Sequence, residues 1–282
     1  MGELGPADAW SPIIAGADAV IHLASRAHAP LPADRAGWVE REAATAHSLA
    51  QAARVAGIPR LLFMSSIKAM GAGGDVPFCA GNAPAPADPY GKTKLEIERT
   101  IRAVLPDTIV LRPPLVYGPG VKANFLTLMK LVDRGLPLPL GGIDNRRSVI
   151  FIDNLLDLVE IALVHPAASG GTFLMRDDDE VSSSELVRRM ARALGQKARL
   201  IPIPTGIVFA AARWFGRGDL AESLLGSLRV DDTVTRTLLN WRPHRTLDEG
   251  LTAAAAWYRE APTLRTLVTR RPRATRDSRP LG

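Results

Sequence analysis

Residues 88–94 read DPYGKTK and residues 60–66 read RLLFMSS, and the relation between these two runs decides the fold. A proline directly after an aspartate marks a helix start, with Asp88 as N-cap and Pro89 in the first position, so the pattern predicts a helix over 88–105. RLLFM is short, largely apolar and ends in Ser65-Ser66, the pattern of a buried strand. A serine at the carboxyl end of such a strand faces the crevice in which open α/β sheets bind ligands. Tyr90 and Lys94 lie four residues apart on one helical face, where the ammonium can lower the phenol's pKa and fit it for base chemistry near neutral pH. Alone, a Tyr and a Lys at this spacing are more often a solvated helix face. With Ser66 they make a hydroxyl, phenol and ammonium set suited to moving a hydride and a proton at a carbinol, and Ser65 is read as structural.

Working outward, apolar patterning predicts helices over 7–15 and 34–57 and strands over 19–23 and 108–111. Helices and strands thus alternate, which implies an α/β fold with a Rossmann-like parallel sheet and right-handed crossovers. After Tyr117 the character changes. Further helices alternate with short strands expected near 136–140, 148–152 and 171–174, as a smaller α/β substrate-binding lobe. The expected division is a dinucleotide-binding lobe over 1–117, with 149–165 returning to it, a substrate lobe over 118–260, and a basic disordered tail over 261–282.

The chain has 282 residues, 46% hydrophobic and 23% charged, enough to bury a large core. No segment reaches the roughly 18 consecutive apolar residues of a membrane span, and the N-terminus lacks a signal-peptide pattern, so a cytoplasmic location is expected. The single cysteine, Cys79, excludes an internal disulfide and reads as an inert thiol. The net charge is +6, but residues 262–282 hold six arginines against Asp277 and so supply +5 of it. The body is near neutral, and no nucleic-acid partner is expected.

Other polar residues read blandly. His22 ends an apolar strand and is a packed core histidine, while His28, His47, His165 and His244 show no metal-ligand spacing. The acidic run from Asp177 to Glu180 precedes a helix and reads as a solvated turn that favours the helix dipole.

Five ordered segments carry a resemblance: AVIHLAS (19–25), LLFMSSIKAMG (61–71), DPYGKTKLEIE (88–98), LRPPLVYGPG (111–120) and NRRSVIFIDNLLD (145–157). From residue 2 to about residue 258 the chain resembles the extended short-chain dehydrogenases/reductases, specifically the NAD-dependent epimerase/dehydratase group acting on nucleotide sugars. The resemblance implies that Ser66 holds the reacting sugar oxygen, Tyr90 transfers its proton, and Lys94 binds the nicotinamide ribose and lowers the Tyr90 pKa. It implies that Leu23, Ala24, Ser25 and Pro113 line NAD, with NADP not excluded, and that Asn124 and Arg147 contact the diphosphate of a UDP-sugar. Lys68 would border the sugar pocket. It also implies a homodimer built on the 34–57 helix and the tyrosine helix.

The family's opening strand and G-x-x-G-x-x-G turn are absent, so the sheet is expected to be N-terminally truncated by about two βα units, roughly 50–60 residues. Leu115 stands where the family often has Asn, and Glu3 where it has an adenine-contacting Asp. The Asn that usually opens a motif in the long helix is not recognisable near Glu40 and Glu42. Ile67 and Lys68 occupy the place where dehydratases carry an Asp-Glu pair. The implied activity is therefore C4 epimerisation or 4-keto reduction of a UDP-hexose or UDP-N-acetylhexosamine. The reading from another class is a non-catalytic remnant or nucleotide-sugar-binding module.

Overall fold

The structure, a computed structural model, describes residues 10–23, 35–214 and 224–260. Its strands are β1 (Val20–His22), β2 (Leu61–Met64), β3 (Gly74–Phe78), β4 (Ile109–Arg112), β5 (Leu115–Tyr117), β6 (Arg147–Phe151), β7 (Thr172–Leu174), β8 (Glu180–Val181) and β9 (Leu228–Val230). Its helices are α1 (Ser11–Ile14), α2 (Arg35–Val55), α3 (Pro89–Val104), α4 (Ala123–Asp133), α5 (Ile152–Val164), α6 (Ser183–Ala193), α7 (Thr205–Trp214), α8 (Thr233–Leu239) and α9 (Leu247–Glu260).

Strands β1, β2, β4 and β7 form an all-parallel sheet in that order. Strand alternation sends Leu61 and Phe63 to one face, where they pack with Ala46, Leu49, Ala50 and Ala53 of α2 and Ile97 and Ile101 of α3. Leu62 points the other way and joins Ile109, Leu111 and Phe173 under Leu155, Leu158 and Ala162 of α5. Helices on both faces explain why β4 is buried along its whole length.

A second sheet runs β3, β9, β6, β5, with β8 antiparallel on β6. Its core gathers Tyr117, Phe125, Met129, Phe151, Leu186, Met190, Leu251 and Tyr258 from β5, β6, α4, α6 and α9.

Three expectations are corrected. No strand forms over 136–140, where Leu138 makes only an isolated bridge to Leu200. Pro137 and Pro139 flank Leu138 and have no N–H, so a ladder cannot propagate. Strand β7, expected in the smaller lobe, pairs with β4. Of the stretch 149–165, only α5 packs on the first sheet, whereas β6 pairs with β5 and β9 in the second, and β5 itself falls within the stretch expected in the first lobe. The chain thus changes sheet at Pro113-Pro114, between β4 and β5, and returns through α5 and β7. Of the helix expected over 7–15, the described part is Ser11–Ile14.

Candidate active site

The site grows from the contact between α3 and the turn after β2. Asp88 caps α3, its Oδ1 accepting from the Gly91 amide at 2.7 Å. Ser66 caps a short 3-10 turn, Ile67–Ala69, its Oγ accepting from the Lys68 amide at 3.3 Å. That turn is hung from the end of β4, because the Ser65 amide donates to Leu111 O at 2.8 Å and the Ile67 amide to Pro113 O at 3.0 Å. Gly91 lets the helix come close: a Cβ there would lie 2.2 Å from Lys68 O, so only glycine permits this approach. Ser66, Tyr90, Lys94 and Pro113 are thereby brought together at the carboxyl ends of β2 and β4.

Lys94 is almost fully enclosed. Its Nζ donates to Met64 O at 2.7 Å and lies 4.8 Å from the Phe63 ring centre and 5.9 Å from that of Tyr90. Burial pulls its pKa down to about 8, against the opposing fields of Glu42 and Glu98. An ammonium has three N–H donors, so two have no acceptor among the described residues beyond the Met64 bond. His22 is buried and stacked on Phe63 at 5.3 Å, and burial, with Lys94 second, takes its pKa down to about 4. It is a neutral core histidine.

Beneath Lys94, one turn further along α3, lies a cluster that sequence reasoning missed. Glu98 receives Arg112 Nε at 2.9 Å on Oε1 and Nη2 at 2.5 Å on Oε2, and the Ser65 hydroxyl also donates to Oε1. Arg112 Nη1 reaches Met70 Sδ at 2.7 Å. Ser65 is thus tied down, while the half-buried Ser66 bonds only to its own turn among the described residues. The available signal was the i, i+4 spacing of Glu98 from Lys94 on a helix face that otherwise buries Leu95, Ile97 and Ile101.

Of the other predicted residues, Lys68 lies in the same short turn as Ser66. Leu23, at the end of β1, is exposed, and Ala24 and Ser25 lie outside the described residues. Lys68, expected at a sugar pocket, has its ammonium on Asp88 Oδ2 at 2.5 Å, both partners being partly exposed. Asn124 is exposed in the first turn of α4. Arg147 opens β6, 8% exposed, with Nη1 donating to Gly226 O at 2.9 Å. Burial lowers its pKa to about 10, and among the described residues no carboxylate pairs with it. Arg146 instead reaches Glu180 at 4.0 Å on the surface.

The acidic run is corrected in part. Asp177 is fully buried, accepting from the Tyr117 hydroxyl at 2.7 Å, Asn154 Nδ2 at 2.8 Å and the Phe151 amide at 3.1 Å. Only its three successors sit in a polar surround, on Arg236, Arg189 and Arg229. The helix start that follows is capped by Ser182.

Residues 2–174 match the NAD dependent epimerase/dehydratase family. The chain belongs to that family of enzymes. A UDP-glucose 4-epimerase of Vibrio cholerae is 39% identical over 86% of this chain and 77% of its own length. Among solved structures, the UDP-glucuronic acid 4-epimerase from Bacillus cereus in complex with NAD superposes with a TM-score of 0.71 at 19% identity, over 89% of this chain and 77% of that one. The Bordetella bronchiseptica enzyme WbmG in complex with NAD and UDP gives 0.70 at 19% identity, over 92% and 78%. At that identity the likeness is one of fold, and it agrees with the family's α/β architecture.

Proposed function

We propose that the chain is an NAD-dependent nucleotide-sugar oxidoreductase acting at C4 of a UDP-hexose or UDP-N-acetylhexosamine, as a 4-epimerase or a 4-ketoreductase. The observation that carries the reading is the buried Lys94 ammonium, anchored on Met64 O beside the Tyr90 ring. A positive charge held there favours the tyrosine phenolate, and the two spare N–H donors suit the hydroxyls of a nicotinamide ribose. NAD, when bound, supplies the hydride acceptor for C4 and the donor that returns it.

The residues do the rest. Ser66 orients the C4 oxygen. Tyr90, as phenolate, removes that oxygen's proton while the carbinol becomes a ketone, and gives it back when the alcohol is re-formed. Epimerisation then needs only that the keto sugar turn its other face before the hydride returns. Leu23, Ala24, Ser25 and Pro113 border the cofactor in this reading. Arg147 supports a diphosphate: it is a buried guanidinium bonded to a carbonyl and paired with no described carboxylate, which favours an incoming anion. Asn124, near the amino end of α4, adds a neutral donor, and Lys68 remains at the rim on Asp88. The same reading seats α2 and α3 against their mates in a homodimer.

The test is turnover of UDP-glucose and UDP-N-acetylglucosamine with NAD, and of the corresponding 4-keto sugars with NADH, in the natural chain and in Tyr90→Phe. The variant is expected to lose roughly 100-fold or more in rate with unchanged circular dichroism and melting. An active Tyr90→Phe protein would sink the mechanism. Binding of NAD and UDP-sugar with no turnover by the natural chain would replace it with a binding module.

A further inference from the structure

Helix α7 is out of keeping with the rest of the molecule. Its sequence, TGIVFAAARW, is strongly apolar, yet among the described residues none of its side chains joins any of the four buried clusters. Ile207 is 60% exposed and Trp214 88% exposed, and Ile201, just before the helix, is exposed too. Phe209, Ala210, Arg213 and Trp214 line a shallow open hollow with Thr205 and Gly206. A soluble helix normally turns such a face to the core.

Charge indicates what covers it. Residues 186–218 contain seven arginines and lysines and no acidic residue. Of these, Arg192, Lys197, Arg199 and Arg213 are exposed. Arg188 and Arg189 are paired with Glu185 and Asp179, and a second copy docking about a two-fold axis through α7 would bring the exposed cations next to it in sequence against their own copies. An anionic surface has no such penalty, and each basic side chain near anionic lipid adds about 1 kcal/mol of attraction. At ten residues α7 is half the roughly 20 needed to span a bilayer. A short helix with apolar side chains, a terminal tryptophan and flanking cations fits the plane of the headgroups.

We propose that α7, with the segment 197–204 leading into it, docks on an anionic phospholipid bilayer. Ile207 and Trp214 enter the boundary between headgroups and acyl chains, while Lys197, Arg199 and Arg213 face the lipid phosphates. The protein then works against a membrane face, whatever its sugar substrate.

The experiment is co-sedimentation of the full chain with vesicles of phosphatidylglycerol and phosphatidylcholine, and with phosphatidylcholine alone, at low and high salt. The expected result is binding to the anionic vesicles that weakens with salt. Ile207→Ser/Trp214→Ser, which alters only exposed side chains, should lower the partition coefficient by roughly tenfold or more with an unchanged melting temperature. Failure of the natural chain to bind anionic vesicles overturns the proposal. So does equal binding by the double variant, which would assign the attraction to arginines elsewhere, those of 262–282 first. A shift of the natural chain from dimer to monomer on the same substitutions, without any loss of vesicle binding, would assign the face to a second copy.

Discussion

Glu98 and Asp177 are two buried carboxylates, one packed beside the first sheet and one beside the second, and they are held in opposite ways. Glu98 has a full counter-charge, with the Arg112 guanidinium closing on both of its oxygens. Asp177 has only neutral donors: a phenol, an amide side chain and a backbone N–H. The first lies one turn from Lys94, and its field helps keep that ammonium charged. The second lies where β5, β6 and α5 meet. Its partner Asn154 in turn accepts from the amides of His244 at 3.1 Å and Arg245 at 3.0 Å. An ion pair sits where charge serves the neighbouring chemistry. A web of neutral hydrogen bonds sits where the need is to fix a shape.

The largest effect is expected from breaking the ion pair on one side only. Arg112→Met leaves Glu98 buried without its cation, which costs about 3–5 kcal/mol, a large part of a domain's stability. Adding Glu98→Gln removes the stranded charge, leaves Ser65 an acceptor, and should restore much of the loss. Urea unfolding of the natural chain, the single variant and the double variant measures this. A double variant as unstable as the single one would mean that the pair matters by packing and not by charge.

The first sheet carries a second electrostatic strain at His22. Unfolded, its pKa is near 6.5, and in the fold it is about 4. Between these values the unfolded chain takes up a proton that the folded chain refuses. Stability is therefore intact above pH 6.5, falls as the pH drops toward 4, and loses nothing further from this group below that. A shift of this size corresponds to roughly 3 kcal/mol. His22→Gln has no proton to refuse, so its unfolding free energy should fall less between pH 7 and pH 4.5. Parallel pH curves for the two proteins would contradict the neutral, buried state of His22.

What could be read from the sequence divides by range and not by sheet. For the tyrosine helix and the strand before it, the signals were local. Asp88 and Pro89 gave the helix start, a four-residue step put Tyr90 and Lys94 on one face, and the apolar run of β2 gave the strand that ends at Ser66. Each needed only the period of one element. The partners of Glu98 and Asp177 were hidden because they come from elsewhere in the chain: Arg112 is 14 residues from Glu98, and Tyr117 is 60 from Asp177. An acidic run ahead of a helix reads as solvated, and nothing in it says that Asp177 alone turns inward. The pairing of β7 with β4 was likewise invisible, because three residues carry no label for the sheet they join.

The smallest effect is expected from Asp177→Asn, and its smallness follows from the contrast with Glu98. Asparagine keeps the shape and one acceptor oxygen but puts an NH2 among groups that are themselves donors, so at least one buried donor loses its partner. That alone costs about 1–3 kcal/mol. Against it, the substitution removes a buried negative charge that has no cation among its hydrogen-bond partners, and burial already pushes the Asp177 pKa up. The two changes offset, leaving a net loss of about 1 kcal/mol at pH 7. The sign of the pH dependence separates them. A carboxyl whose pKa is raised by folding favours the folded state as the pH falls, so the natural chain should gain on the variant toward acid and the gap should widen. Equilibrium unfolding of both proteins at pH 7 and pH 4.5 reads that gap. If Asp177→Asn proved as damaging as Arg112→Met, Asp177 would be held by charge after all, and the contrast between the two carboxylates would fail.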